Sequence, residues 1–121
     1  MRVLMVAHNV AWQGSAIRAL SLARPLAAMG HELTVIASRG HAGFRVASEL
    51  VDGVRLVQLP DIVPRRFRNG GLSPVDLAGR VAHVLGTRYD VVHAFEQRPC
   101  STVPALLARR RRGAVYVADW A

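Results

Sequence analysis

The segment His8-Asn9-Val10-Ala11-Trp12-Gln13-Gly14-Ser15 joins an apolar run to the start of a helical pattern, and at that junction the chain has the means to hold an anion. The first backbone N–H groups of a helix lack intrahelical partners, and the helix dipole places positive charge beside them. Gln13, Gly14 and Ser15 are therefore candidates for a phosphate-binding turn, with His8 just before it. A simple helix cap by Ser15 accounts for the same residues. His93 lies inside an apolar run, where it is either a core histidine bonded to backbone or a group aimed at a cleft. Glu96 leaves the same run and offers a carboxylate there, or pairs with Arg98. Arg65, Arg66 and Arg68 surround Phe67, a pattern that suits either a solvated loop or a surface resting on anionic lipid headgroups.

Several chemistries are disfavoured by what is missing. A dinucleotide fingerprint needs three spaced glycines so that backbone can approach a pyrophosphate, and this turn has only Gly14. A Walker loop needs a lysine, and the chain has none, its 16 basic residues all being arginine. A phosphoacceptor pocket needs carboxylates after the first strand, where His8 and Asn9 stand. Cys100 is the only cysteine, so no internal disulfide and no cysteine-based metal site can form, and no metal is expected. The net charge of +8 attracts phosphates, acidic lipids or nucleic acid alike. Without a recognised motif or an interleaved aromatic platform, nucleic acid is not the expected partner. No apolar run reaches the roughly 18 to 20 residues needed to span a bilayer, and Met1 to Ala7 lacks a secretory signal, so the expected compartment is the cytoplasm.

The elements that must position these residues alternate. Arg2 to His8, Leu33 to Ala37, Val54 to Leu59, Asp90 to Phe95 and Ala114 to Ala118 are short apolar runs of the kind buried on both faces of a parallel sheet. Between them, Gly14 to Met29 repeats apolar residues at helical spacing and stops at Gly30; Pro25 inside it predicts a kink, at a cost of about 3 kcal/mol. Ser73-Pro74-Val75-Asp76 caps a helix to about Leu85 with Leu77, Val81 and Leu85 inward. Ser101 to Arg112 forms another, with Val103, Leu106 and Leu107 inward. Val46 to Val51 is expected to make only a short helix. One domain covering residues 1–121 follows, because the chain is long enough for a single core. It is a three-layer α/β, Rossmann-like, doubly wound parallel sheet with strand order 3-2-1-4-5. In such sheets ligands bind beyond the carboxyl ends of the strands, which gathers His8 to Ser15, Phe95 to Arg98 and the residues after Val117.

The stretch from Gly14 to Val35, with its Leu22-Ala23-Arg24-Pro25-Leu26-Ala27-Ala28-Met29-Gly30-His31-Glu32-Leu33-Thr34-Val35 phrase, resembles the opening of family 4 glycosyltransferases of the GT-B fold. Tyr89-Asp90-Val91-Val92-His93-Ala94-Phe95 is similar to that family's Asp-Val-Val-His strand, and Pro104-Ala105-Leu106-Leu107-Ala108 to the helix after it. The resemblance implies a retaining transferase that moves a sugar, of hexosyl type, from a nucleotide diphosphate sugar, without a further cofactor, to a carbohydrate, lipid-linked or small-molecule acceptor. This chain would be the acceptor-side N-terminal domain. The donor-holding C-terminal domain, with the family's paired glutamates, has no counterpart in it, so the fragment alone is expected to be inactive. The end at Ala121, directly after a core strand, is likewise expected to reflect truncation.

Site residues carry over in part. The family's glycine pair falls on Gln13 and Gly14, so close approach to a pyrophosphate is restricted at Gln13. Where many relatives have a histidine after the fifth strand, this chain reads Ala118-Asp119-Trp120, making Asp119 the nearest catalytic candidate, for orienting a sugar hydroxyl, or else a helix cap. Glu96 would then accept hydrogen bonds from a sugar. Lipid-linked acceptors, common among the relatives, agree with a peripheral place at the inner membrane face. Two alternatives stay open: a stand-alone nucleotide- or polyanion-binding domain, and a diverged dinucleotide-binding oxidoreductase.

Overall fold

The computed structural model describes residues 1–10, 14–38, 47–59, 74–95 and 99–119. Nine elements follow in order: β1 (Arg2–Val10), α1 (Gly14–Ala28), β2 (Glu32–Ser38), β3 (Ala47–Val51), β4 (Val54–Leu59), α2 (Pro74–Gly86), β5 (Val91–Phe95), α3 (Pro99–Arg112) and β6 (Val115–Asp119). They build one six-stranded sheet in the order β3-β4-β2-β1-β5-β6. The five strands expected from the sequence are all parallel and lie in the expected order.

The addition is β3, an antiparallel edge strand where a short helix was expected. Its physical cause is the turn: Asp52 (φ 49°) and Gly53 (φ 81°) both adopt positive φ, the requirement of a two-residue hairpin loop. Val51 then faces Val54 across the hairpin. The strand's middle residues are exposed, so no apolar periodicity announced it.

Side chains alternate across β1. Val3, Met5 and Ala7 join Leu33, Val35, Leu56 and Phe95 beneath Ala16, Ala19, Leu20 and Ala23 of α1. Leu4 and Val6 join Ile36, Val57, Val92 and Ala94 on the other face, beneath α2 and α3. A central strand buried on both faces is worth about 1.5–3 kcal/mol for each large aliphatic residue, which is why β1 has no polar position between Val3 and Ala7. The three buried alanines of α1, Ala16, Ala19 and Ala23, let that helix lie close to the sheet.

The helix faces on the second side differ from expectation. Leu85, Val103 and Leu106 are exposed, whereas Arg80 and Val84 of α2 and Cys100, Ser101, Ala105 and Ala108 of α3 are buried. Small residues permit α3 to approach the sheet, while Val103 and Leu106 stand outside and Leu107, as expected, packs against the core. Helix α1 runs as one element through Pro25. Pro25 cannot donate to the carbonyl of Ser21; both residues are exposed, so the missing bond falls on the solvent side of the helix.

Candidate functional site

Register assembles the expected edge. Ala7 of β1 is paired with Phe95 of β5, and Phe95 with Asp119 of β6, so one row crosses three strands at their carboxyl ends. His8 and Asp119 therefore reach the same edge, each placed by its backbone. Gly14 opens α1 beside them with φ 45°, a conformation that strains any residue with a Cβ. Ser15 follows in the first turn, which carries no acidic residue to compete with an anion for the free N–H groups. Gln13, Glu96, Arg65, Arg66 and Arg68 lie outside the described residues.

His93 sits two residues inside β5, about 6–7 Å back from Phe95 along the strand. It is half-buried, and its ring stacks on Phe95 with centroids 4.1 Å apart and planes 17° from parallel. On α1, the Arg18 guanidinium carbon lies 5.4 Å from the Phe95 centroid. A cation and two rings thus couple the second turn of α1 to the end of β5, beneath the expected cleft. Such a contact is worth about 0.5–1 kcal/mol near a surface and more where it is desolvated. The structure places His93 within this stack, half-buried against Phe95. Arg18 was not anticipated, since a lone arginine on a helix reads as solvated.

The second residue missed by sequence reasoning is Arg80, the largest fully buried side chain among the described residues. Its Nη1 donates to the carbonyl of Cys100 at 2.8 Å and its Nη2 to Ser38 Oγ at 3.2 Å. The first bond has a specific cause. Pro104 stands four residues after Cys100 within α3, and, having no N–H, it leaves that carbonyl without its helical donor. The guanidinium of α2 supplies it. Ser38 ends β2 and Cys100 begins α3, so Arg80 ties together two chain ends that open onto the carboxyl edge. A proline in the first turns of α3 and an arginine four positions before Val84 were the only available signals, and neither names its partner.

Among the described residues no group of three or more His, Cys, Asp or Glu could hold a metal ion. No described helix is long and apolar enough to cross a membrane. A cavity of about 260 Å³ lies at the opposite, amino edge of the sheet, between Thr34, Arg55, His83 and Tyr89.

An open parallel sheet sandwiched by helices, with its strand order reversing beside a glycine-opened helix, defines a Rossmann-like α/β domain. The chain belongs to the glycosyl transferase 4-like domain family, whose model matches residues 13–121, all but the first 12 residues. No curated protein matches the chain.

Proposed function

We propose that this domain, residues 1–121, is the acceptor-side N-terminal half of a retaining glycosyltransferase that moves a hexosyl group from a nucleotide diphosphate sugar to a carbohydrate, lipid-linked or small-molecule acceptor. The observation that carries the reading is the family match over residues 13–121. The convergence of Ala7, Phe95 and Asp119 on one edge supports the location of the cleft.

In this reading the amino end of α1, from Gly14 and Ser15, faces the donor phosphates, with Gln13 limiting how closely they approach. Asp119 orients an acceptor hydroxyl, and His8 and Glu96 line the cleft wall. His93 supports that wall through Phe95. A second domain holds most of the donor, so this half alone transfers little or no sugar. The reaction uses no metal and no cofactor beyond the sugar nucleotide. Its acceptor is reached from the cytoplasm, with Arg65, Arg66 and Arg68 resting on anionic lipid at the inner membrane face.

The test is an assay of the whole gene product with a panel of nucleotide diphosphate sugars and lipid or sugar acceptors, with product anomeric configuration read by NMR. Transfer with retention, lowered by Asp119→Asn, is the expected result. Failure of every donor to be turned over, together with tight NAD binding by the chain, would replace this reading with a dinucleotide enzyme.

A further inference from the structure

The amino edge of the sheet carries a polar cavity that plays no part in the proposed transfer. Its origin lies in strand parity. Thr34 and Arg55 are register partners on the sheet face that α2 and α3 cover. Helix α2 ends at Gly86, so that it borders them only through its last turn, at His83. The uncovered strip becomes a cavity of about 260 Å³, roofed by His83 and Thr87 and walled on the hairpin side by Leu50. That volume falls just below the roughly 300 Å³ at which pockets for drug-sized ligands begin, so an occupant must be small.

Its charge is positive. Glu32, the only carboxylate in the lining among the described residues, is bridged by Arg2 at 2.8 Å. Among the described residues Arg55 enters no salt bridge, so its guanidinium has no carboxylate in direct contact, while Asp90, outside the lining, accepts from the Arg2 amide at 2.8 Å. Three lining groups feel the Arg55 charge. The Arg2 guanidinium first, and Arg55 in addition, hold the Glu32 carboxyl low. Burial first, and then Arg55, press the His83 imidazole down. Burial raises the Tyr89 phenol, against hydrogen bonds from Thr34 and Thr87 and the fields of Arg2 and Arg55. The carboxyl end of α2 opposes an anion with about half a charge, which a full guanidinium charge outweighs.

We propose that this cavity is a binding site for a small phosphorylated molecule, gripped through its phosphoryl group by Arg55 with the hydroxyls of Thr34 and Thr87, and flanked by His83. The guanidinium donates to phosphate oxygens directly, and the threonine hydroxyls, whose single protons are given to the Tyr89 oxygen, turn from it to the phosphate on binding. Leu50 and Gly53 leave an apolar wall for a small substituent. The site lies at the edge opposite the proposed transfer cleft and does not depend on that reading.

Titration of the purified, isotope-labelled chain with inorganic phosphate and, separately, with glycerol 3-phosphate tests it by NMR. Saturable shifts at Thr34, Arg55, His83 and Thr87 are expected. The His83 imidazole, which faces Arg55, Arg2, Glu32 and Tyr89, should take up its proton at higher pH when the anion is bound. Arg55→Gln, at an exposed position, should keep the fold and weaken binding by about tenfold. Tighter binding of the ester would identify a phosphomonoester as the source, and equal binding free phosphate. Shifts reproduced by sodium chloride at matched ionic strength, or unchanged affinity in Arg55→Gln, would overturn the proposal.

Discussion

The two edges of this sheet are held together by different physics. At the carboxyl edge a buried guanidinium reaches the end of β2 and the start of α3, in a place with no exposed surface to screen it. At the amino edge the ties are exposed: Arg2 Nε to Glu32 Oε2 at 2.8 Å, the Arg2 amide to Asp90 Oδ2 at 2.8 Å, and the terminal amine to His31 Nδ1 at 3.2 Å. Water and salt compete for every one of those contacts. The proposed transfer site therefore rests on the rigid side, and the softer edge leaves room for a second pocket.

Removing Arg80 should reveal that contrast most strongly. Arg80→Met keeps the stem but loses the buried charge-assisted bonds to the Cys100 carbonyl and Ser38 Oγ, so a loss of about 3 kcal/mol is expected in urea denaturation. A variant as stable as the parent would mean that the Pro104 gap is served by some other donor. Gly14→Ala should cost about 1 kcal/mol, because alanine at φ 45° meets the left-handed penalty. Thermal unfolding would check this, and an unchanged midpoint would place Gly14 in an unstrained conformation.

A smaller effect is expected from pH. Burial, and then Arg55, lower the His83 imidazole below its ordinary 6.5 in the folded protein. The unfolded chain thus takes up that proton at higher pH than the folded one, and stability should fall as pH drops through 6.5. Comparing denaturation midpoints at pH 8 and pH 5.5 for the parent and for His83→Gln isolates this contribution, which the variant should lack. The smallest change belongs to Glu32→Gln at the amino edge. Its partner Arg2 is exposed, so no measurable change in unfolding midpoint is expected at physiological salt. A clear loss there would show that the two edges are less different than their burial implies.

Much of the fold was legible because its strands are continuous apolar runs. Val3 to Ala7 and Leu33 to Ala37 announce burial on both faces, and right-handed crossovers leave few ways to order them. The β3 strand was not read, although Asp52-Gly53 is a strong hairpin signal, because exposed residues carry no alternation. The helix faces were misread because Cys100, Ser101 and Ala105 pack inward by being small, a property that hydropathy does not rank. Of the expected site, the strand ends Ala7, Phe95 and Asp119 fall in one row, while the turns that follow them lie outside the described residues. The sequence left Arg18 and Arg80 among 16 arginines with nothing to separate them.

Taken by itself, the sequence determined the five parallel strands, in what order they line up, and the family to which the chain belongs. Tertiary structure decided which arginine is buried, which helix face turns inward, and where an uncovered strip of sheet becomes a cavity. The reason is distance along the chain. Apolar periodicity is a local property, whereas Arg80 meets partners 20 and 42 residues away, and its burial exists only once the strand and helices that surround it are in place.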